Sequence, residues 1–219
     1  MHNFTPRIFL VVGSPGSGKD ELMTAVNTIG SLHAEIVPKH TSRIQNADDG
    51  DEMICRAWLD QDGKTEIPNP RWDLEGCDVR YENFGTQYGI KTAEIWSKLR
   101  QGIMQVAVVS DSDALNQLKG KFGNLAVVVY VYSQISREQY REKQIQNKLN
   151  PKSGTAKSEL TDDDLIYIEK RVTDFDKAWQ IYVDNFMLFD HVLIYADMQE
   201  DLFDQVFRLF KAYERGFLK

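Results

Sequence analysis

Four short runs along the chain are almost wholly apolar: residues 8–12, 105–109, 125–132 and 191–195. They are rich in Val, Ile and Leu and do not alternate with polar residues, the pattern of parallel strands covered by helices on both faces. A shorter run, 34–37, is a fifth candidate. Between the runs, apolar residues recur at helical spacing. Leu22, Met23, Val26 and Ile29 form one stripe, closed by Gly30; Ile95, Trp96 and Leu99 form another, closed by Gly102, a favoured helix-ending residue. Leu115, Leu118 and Phe122 form a third. The longest stripe runs through Leu165, Ile168, Val172, Phe175, Trp179, Tyr182 and Phe186. It follows Thr161 and three aspartates, Asp162, Asp163 and Asp164, in a first turn where the helix dipole favours carboxylates. A last helix is expected over about 199–216, on Leu202, Phe203, Val206, Phe207, Phe210 and Tyr213. Strands alternating with helices in this way predict an α/β fold around a parallel sheet.

Two stretches break the alternation. Residues 44–87 are polar and rich in turn sequences, with short alternating pieces at 53–59 and 78–81, and predict a small antiparallel insert. Residues 136–160 open with Ser136 and Gln139 at capping-box spacing, continue as an almost entirely polar helix and pass into the loop NPKSGTAKSE. Such a segment is either a hinged lid or a solvated surface excursion. The expected organisation is therefore a core of 1–43, 88–135 and 161–219, an insert at 44–87 and a lid at 136–160.

A net charge of −7 excludes the chain as a whole as an electrostatic partner of nucleic acid or anionic lipid. No apolar run approaches the roughly 18 residues of a membrane span. The opening MHNFTPRIFLVV lacks a signal peptide's charged start and cleavage site, so it is expected to be the first strand of a cytoplasmic protein. Cys55 and Cys77 have no CxxC spacing, and reduced thiols are the default. The acidic cluster Asp48, Asp49, Gly50, Asp51 and Glu52 lacks the pattern of a calcium loop and reads as a turn.

The chemistry concentrates at Gly13-Ser14-Pro15-Gly16-Ser17-Gly18-Lys19, placed after the first strand and before a helix. This is the spacing of a phosphate-binding loop. Its glycines let successive N–H groups converge on an anion, the helix start adds its dipole, and Lys19 brings a full charge to the β and γ phosphates of ATP. The next residue departs from the usual pattern: Asp20 replaces the Ser or Thr whose hydroxyl binds Mg²⁺. Asp20 either reaches Mg²⁺, through water, or serves only the helix start.

With the loop, insert and lid in place, the chain resembles the guanylate kinase group over nearly its whole length. Lys39-His40-Thr41-Ser42-Arg43 resembles the run that ends in an acceptor-phosphate arginine, and Tyr88-Gly89 resembles the tyrosine-glycine pair that touches the same phosphate. Val109-Ser110-Asp111 is similar to the strand end that carries a catalytic-side aspartate. The stretch from Ser136 to Lys143 resembles the start of the lid, and Glu169-Lys170-Arg171 its returning arginine. The resemblance implies a P-loop NTPase fold using ATP and Mg²⁺ on a small phosphorylated acceptor, as a monomer or homodimer. It implies that Lys19 follows the transferred phosphoryl group and that Lys39, Arg43 and Tyr88 hold the acceptor. Asp111 would orient a water or a hydroxyl, and Arg141, Lys143 and Arg171 would arrive with the lid. Each has a plainer alternative: Asp111 as a helix cap, Arg141 and Lys143 on a solvated face, Arg171 facing water.

The departures narrow the acceptor. Gln45 and Asn46 stand where guanylate kinases carry a Pro-Arg step, Val79 where they place a guanine-binding glutamate, with Asp78 adjacent, and Ile90 where they use a small hydroxyl residue. A site built to hydrogen-bond guanine loses several kcal/mol when those groups become apolar, so GMP is expected to be a poor acceptor. Within the group the motifs are most similar to ribose 1,5-bisphosphate phosphokinases, at Lys19-Asp20, Lys39 to Arg43 and Tyr88-Gly89-Ile90, and differ at Ser110-Asp111-Ser112-Asp113. The competing expectation is a catalytically silent nucleotide-binding module of the same fold.

Overall fold

The computed structural model describes residues 5–45, 49–50, 52–60, 62–83, 85–151, 157–196 and 199–218. Asn46, Asp48, Asp51 and half of the expected lid loop (152–156) lie outside them. In chain order the elements are β1 (Ile8–Gly13), α1 (Lys19–Thr28), β2 (Ala34–Ile36), β3 (Lys39–Ile44), β4 (Met53–Leu59), β5 (Glu66–Pro68), β6 (Val79–Asn83) and β7 (Thr86–Ile90). They continue as α2 (Thr92–Arg100), β8 (Met104–Val108), α3 (Ser112–Phe122), β9 (Ala126–Ser133), α4 (Arg137–Leu149), α5 (Asp162–Asp184), β10 (His191–Tyr195) and α6 (Gln199–Glu214).

The main sheet has the order β10-β9-β1-β8-β2 with every pairing parallel. Its centre, β1, is buried along its whole length, which is why its sequence is continuously apolar. Phe9 and Val11 point to one face, with Leu22, Val26, Leu202, Val206 and Phe210 from α1 and α6; Phe9 stacks on Phe210 at 4.1 Å between ring centres. Ile8, Leu10 and Val12 point to the other, with Ile95, Leu99, Leu115, Leu118 and Phe122 from α2 and α3 and, from α5, the partly buried Tyr182.

The second sheet, β5-β4-β3-β7-β6, is antiparallel at three pairings and parallel between β3 and β4. It spans Lys39–Ile90, so residues 39–43 and 88–90, expected in the core, form its middle strands. Lys39–Ile44 is a polar strand without a run of apolar residues, so nothing local announces it. Val79, Tyr81 and Ile90 carry this sheet into the same apolar cluster as α2 and α3. Gly89 is there because the chain at 74–77 lies directly over it: a Cβ would sit 2.6 Å from the Cys77 Cβ. Both cysteines are buried free thiols.

Helix α4 (Arg137–Leu149) forms the first half of the segment expected as a lid, and its Ser136–Gln139 capping box is formed. It lies against α5 through Tyr140, Ile168 and Val172, with Ile145 and Phe175 at the margin. The α5 stripe is not buried from end to end. Ile168 and Val172 are buried, Leu165 and Trp179 are half exposed, and Phe186 falls beyond the helix in a 3-10 turn. No helix among the described residues is long and apolar enough to cross a membrane.

Candidate active site

The loop between β1 and α1 has the shape its sequence implies. Gly16 and Gly18 take φ of 76° and 94°, where a side chain is strained, and Gly18 is the N-cap of α1 without a side-chain cap. No capping side chain therefore competes for the N–H groups at the helix start, which face the loop. Lys19 Nζ donates to the Gly13 and Ser14 carbonyls at 2.6 and 2.7 Å, bracing the loop from within. Burial pushes its pKa down to about 8, Asp20 opposing and Arg171 and Lys39 assisting. Ser14 Oγ ties the loop to α5 by donating to the Phe175 carbonyl at 3.1 Å.

The loop's helix opens onto a cavity of about 610 Å³ between the two sheets. Its charged lining comprises Asp20 from α1, Lys39 and Arg43 from β3, Asp49, Glu52 and, from α5, Arg171. Lys39 Nζ donates to the Val108 carbonyl at 3.3 Å, and burial lowers its pKa to about 8 despite the opposing charge of Glu52. Arg43 points both terminal nitrogens at the Asp49 carboxylate, and this hydrogen-bonded pairing raises its pKa. Arg171 reaches the cavity from α5, so it does not simply face water; its Nε is buried and makes no hydrogen bond of normal geometry.

The other predicted residues do not line this cavity, although Tyr88 is near enough to Arg43 to act on its charge. Tyr88 pairs in register with Thr41 and stacks on Tyr81 at 5.1 Å. Asp111 is the N-cap of α3, its Oδ1 accepting from Ala114 N at 2.9 Å. Arg141 holds Glu169 of α5 at 2.7 Å, and Lys143 is exposed on α4. Val79 and Ile90 are fully buried, and Asp78 accepts from Thr92 N at 2.8 Å and pairs with Lys121, so none of these three offers the cavity a polar group.

Two participants escaped the sequence reading. Tyr140, the one buried residue of a largely polar helix, lies over Gly16, where its ring would be 3.4 Å from an added Cβ, and stacks on Phe175. Its hydroxyl, too, is buried without a hydrogen bond of normal geometry. An aromatic alone in a polar helix was the available signal. Asp49 read as part of a turn; only the fold shows it facing Arg43.

No protein-family profile matches the chain, and no curated protein matches it. Among solved structures it is similar to the crystal structure of guanylate kinase from Anaplasma phagocytophilum, with a TM-score of 0.58 and 13% identity, over 96% of this chain and 87% of that one. The chain has the guanylate kinase fold. Its two sheets and the loop before α1 are thus those of a P-loop NTPase architecture. At this identity the similarity establishes architecture and leaves the chemistry to the residues in the cleft.

Proposed function

We propose that the chain is an ATP- and Mg²⁺-dependent phosphotransferase of guanylate kinase-like type, acting as a monomer or homodimer on a nucleoside monophosphate or a phosphorylated sugar such as ribose 1,5-bisphosphate. The observation that carries this reading is that α1, the helix following the Gly13–Lys19 loop, borders through Asp20 a cavity that holds Lys39, Arg43 and Arg171. Phosphoryl transfer requires positioning and charge neutralisation more than covalent help, and this cluster supplies both.

In the proposed reaction the loop N–H groups and Lys19 bind the β and γ phosphates of ATP. Lys19 exchanges its two loop carbonyls for phosphate oxygens. Lys39 and Arg171 face the acceptor's charge from opposite walls, and Tyr140 over Gly16 keeps water from the loop. Mg²⁺ would be held mainly by phosphates and water with one carboxylate, here Asp20. The metal supplies further charge neutralisation when bound. The buried Val79 and Ile90 support poor use of GMP, because neither can hydrogen-bond a guanine.

The test is ADP formation by the pure protein with Mg²⁺-ATP and a panel of GMP, dGMP, the other nucleoside monophosphates and ribose 1,5-bisphosphate. One acceptor from the panel is expected to drive ADP formation well above the level given by GMP. ATP binding with no turnover on any of them would favour the silent-module reading, to which the ion-paired states of Arg43 and Arg141 already lend some support.

A further inference from the structure

Tyr140 is the one buried residue of α4, and it packs on a single face of α5. Ile168 and Val172 are buried with it, and Phe175 at the margin stacks on its ring at 4.9 Å. Arg171 falls among these positions, three residues after Ile168 and four before Phe175, so it projects from the face that Tyr140 covers. The tyrosine ring also lies over Gly16, 3.4 Å from where a Cβ would sit, so one side chain of α4 touches both the phosphate loop and α5. Arg171 lines the cavity, and its charge acts on Lys19. Its guanidinium thus stands between the loop and the cavity.

The polar ends of the two residues suit each other. Arg171 Nε is a buried donor and the Tyr140 hydroxyl a buried oxygen, and neither makes a hydrogen bond of normal geometry. Burial pushes the pKa of the Tyr140 hydroxyl up and keeps it neutral, while Arg171 opposes this by its charge and as a hydrogen-bond partner. Asp174 attracts the same guanidinium by charge.

We propose that Tyr140 is a positioning residue: its hydroxyl accepts from Arg171 Nε and so aims the two terminal nitrogens of Arg171 at the last phosphate of a bound nucleoside triphosphate. The proposal rests on the reading of the loop and cavity as a phosphotransferase site. An arginine loses rotamer freedom when it grips an anion, and an acceptor at Nε removes part of that freedom beforehand. It also leaves clear the planar fork of terminal nitrogens, the part that binds phosphate bidentately. Because the same ring rests on Gly16, the guanidinium is aimed relative to the loop that binds the β phosphate. A diphosphate ends before it reaches this fork, whereas a triphosphate meets it. Tyr140 thereby gives the site a preference for triphosphate over diphosphate.

The experiment is calorimetric titration of the full chain, in Mg²⁺, with ADP and separately with the β,γ-imido analogue of ATP. Wild type is compared with Tyr140→Phe, Arg171→Gln and the double variant. Tyr140→Phe keeps the ring on Gly16 and removes only the hydroxyl. It is expected to weaken the triphosphate about fivefold while leaving ADP within about twofold, the scale of one hydrogen bond to a charged group. In the Arg171→Gln background it is expected to change nothing further. Unchanged triphosphate binding in Tyr140→Phe would overturn the proposal. So would an equal loss for ADP, or a loss that persists without Arg171, since either is what a merely structural hydroxyl gives. A second measurement reads the hold without any nucleotide. The Arg171 Nε–H signal in proton–nitrogen NMR, assigned by its absence from Arg171→Gln, is expected to exchange slowly with water in wild type and fast in Tyr140→Phe; equal rates would contradict the proposal. Wild type that binds neither nucleotide would sink the phosphotransferase reading and this proposal together, whereas binding indifferent to the hydroxyl would sink the proposal alone.

Discussion

Lys19 and Lys39 hold their protons less tightly than lysines in water, each at about 8 with burial as the main cause. Between pH 8 and the ordinary lysine value the unfolded chain binds more protons than the folded one, so this contribution raises stability with pH across that window. Lys39→Met, which removes one such amine, is expected to melt higher than wild type at pH 7, with the difference shrinking as pH rises from 8 to 10. A pH-independent difference would contradict the burial argument. The same values predict that phosphate binds with proton uptake near pH 8 and weakens above it, which calorimetry in buffers of different ionisation enthalpy can read. At Gly89 the constraint is steric. An alanine methyl would lie 2.6 Å from the Cys77 Cβ and 2.8 Å from the Leu74 Cδ1. Overpacking of this kind costs about 1–3 kcal/mol, so Gly89→Ala is expected to lower the melting temperature measurably. An unchanged melting temperature would mean that the 74–77 segment yields freely.

The contact between α4 and α5 combines a small apolar cluster with ion pairs at both ends. Arg137 meets Asp176 at 2.9 Å, and Asp164 receives Lys148 and Lys157 while closing the Thr161 capping box. Lys157, the largest influence, and the Thr161 N–H hold the Asp164 carboxyl well below the usual carboxylate range. Its stabilising contribution is therefore present above the ordinary aspartate value and is lost as pH falls through the lowered one. Asp164→Ala is expected to speed amide hydrogen exchange across 157–165 at pH 7 while leaving β1 and β9 protected; unchanged exchange would show that the apolar cluster alone holds the segment. Elements of this kind differ in how far the sequence announces them. The five strands of the main sheet are legible to within a residue because strands covered on both faces must be continuously apolar. Lys39–Ile44 is not, because its pairing partners on β4 and β7 hold a polar strand in place. The phosphate loop is local and could be read directly. The Arg43–Asp49 pairing, the entry of Arg171 into the cavity and the position of Tyr140 over Gly16 each depend on a distant element, and no spacing rule carries them.

At the scale of the whole molecule, a chain of net charge −7 brings Lys39, Arg43 and Arg171 together with Asp20, Asp49 and Glu52 around one cleft. The acidic background disfavours a polyanion such as nucleic acid. The fold is that of a guanylate kinase, and Val79 and Ile90 are buried in its core. The most direct measurement is acceptor-dependent transfer of the ATP γ-phosphoryl group, followed by phosphorus NMR, in wild type and in Lys19→Ala. The account predicts a new phosphoanhydride or phosphoester signal on the acceptor that requires Mg²⁺ and falls at least about 100-fold in the variant, the scale of losing a major transition-state charge contact. Transfer that survives Lys19→Ala unchanged would contradict it, as would wild-type protein that binds ATP and transfers to no phosphorylated acceptor.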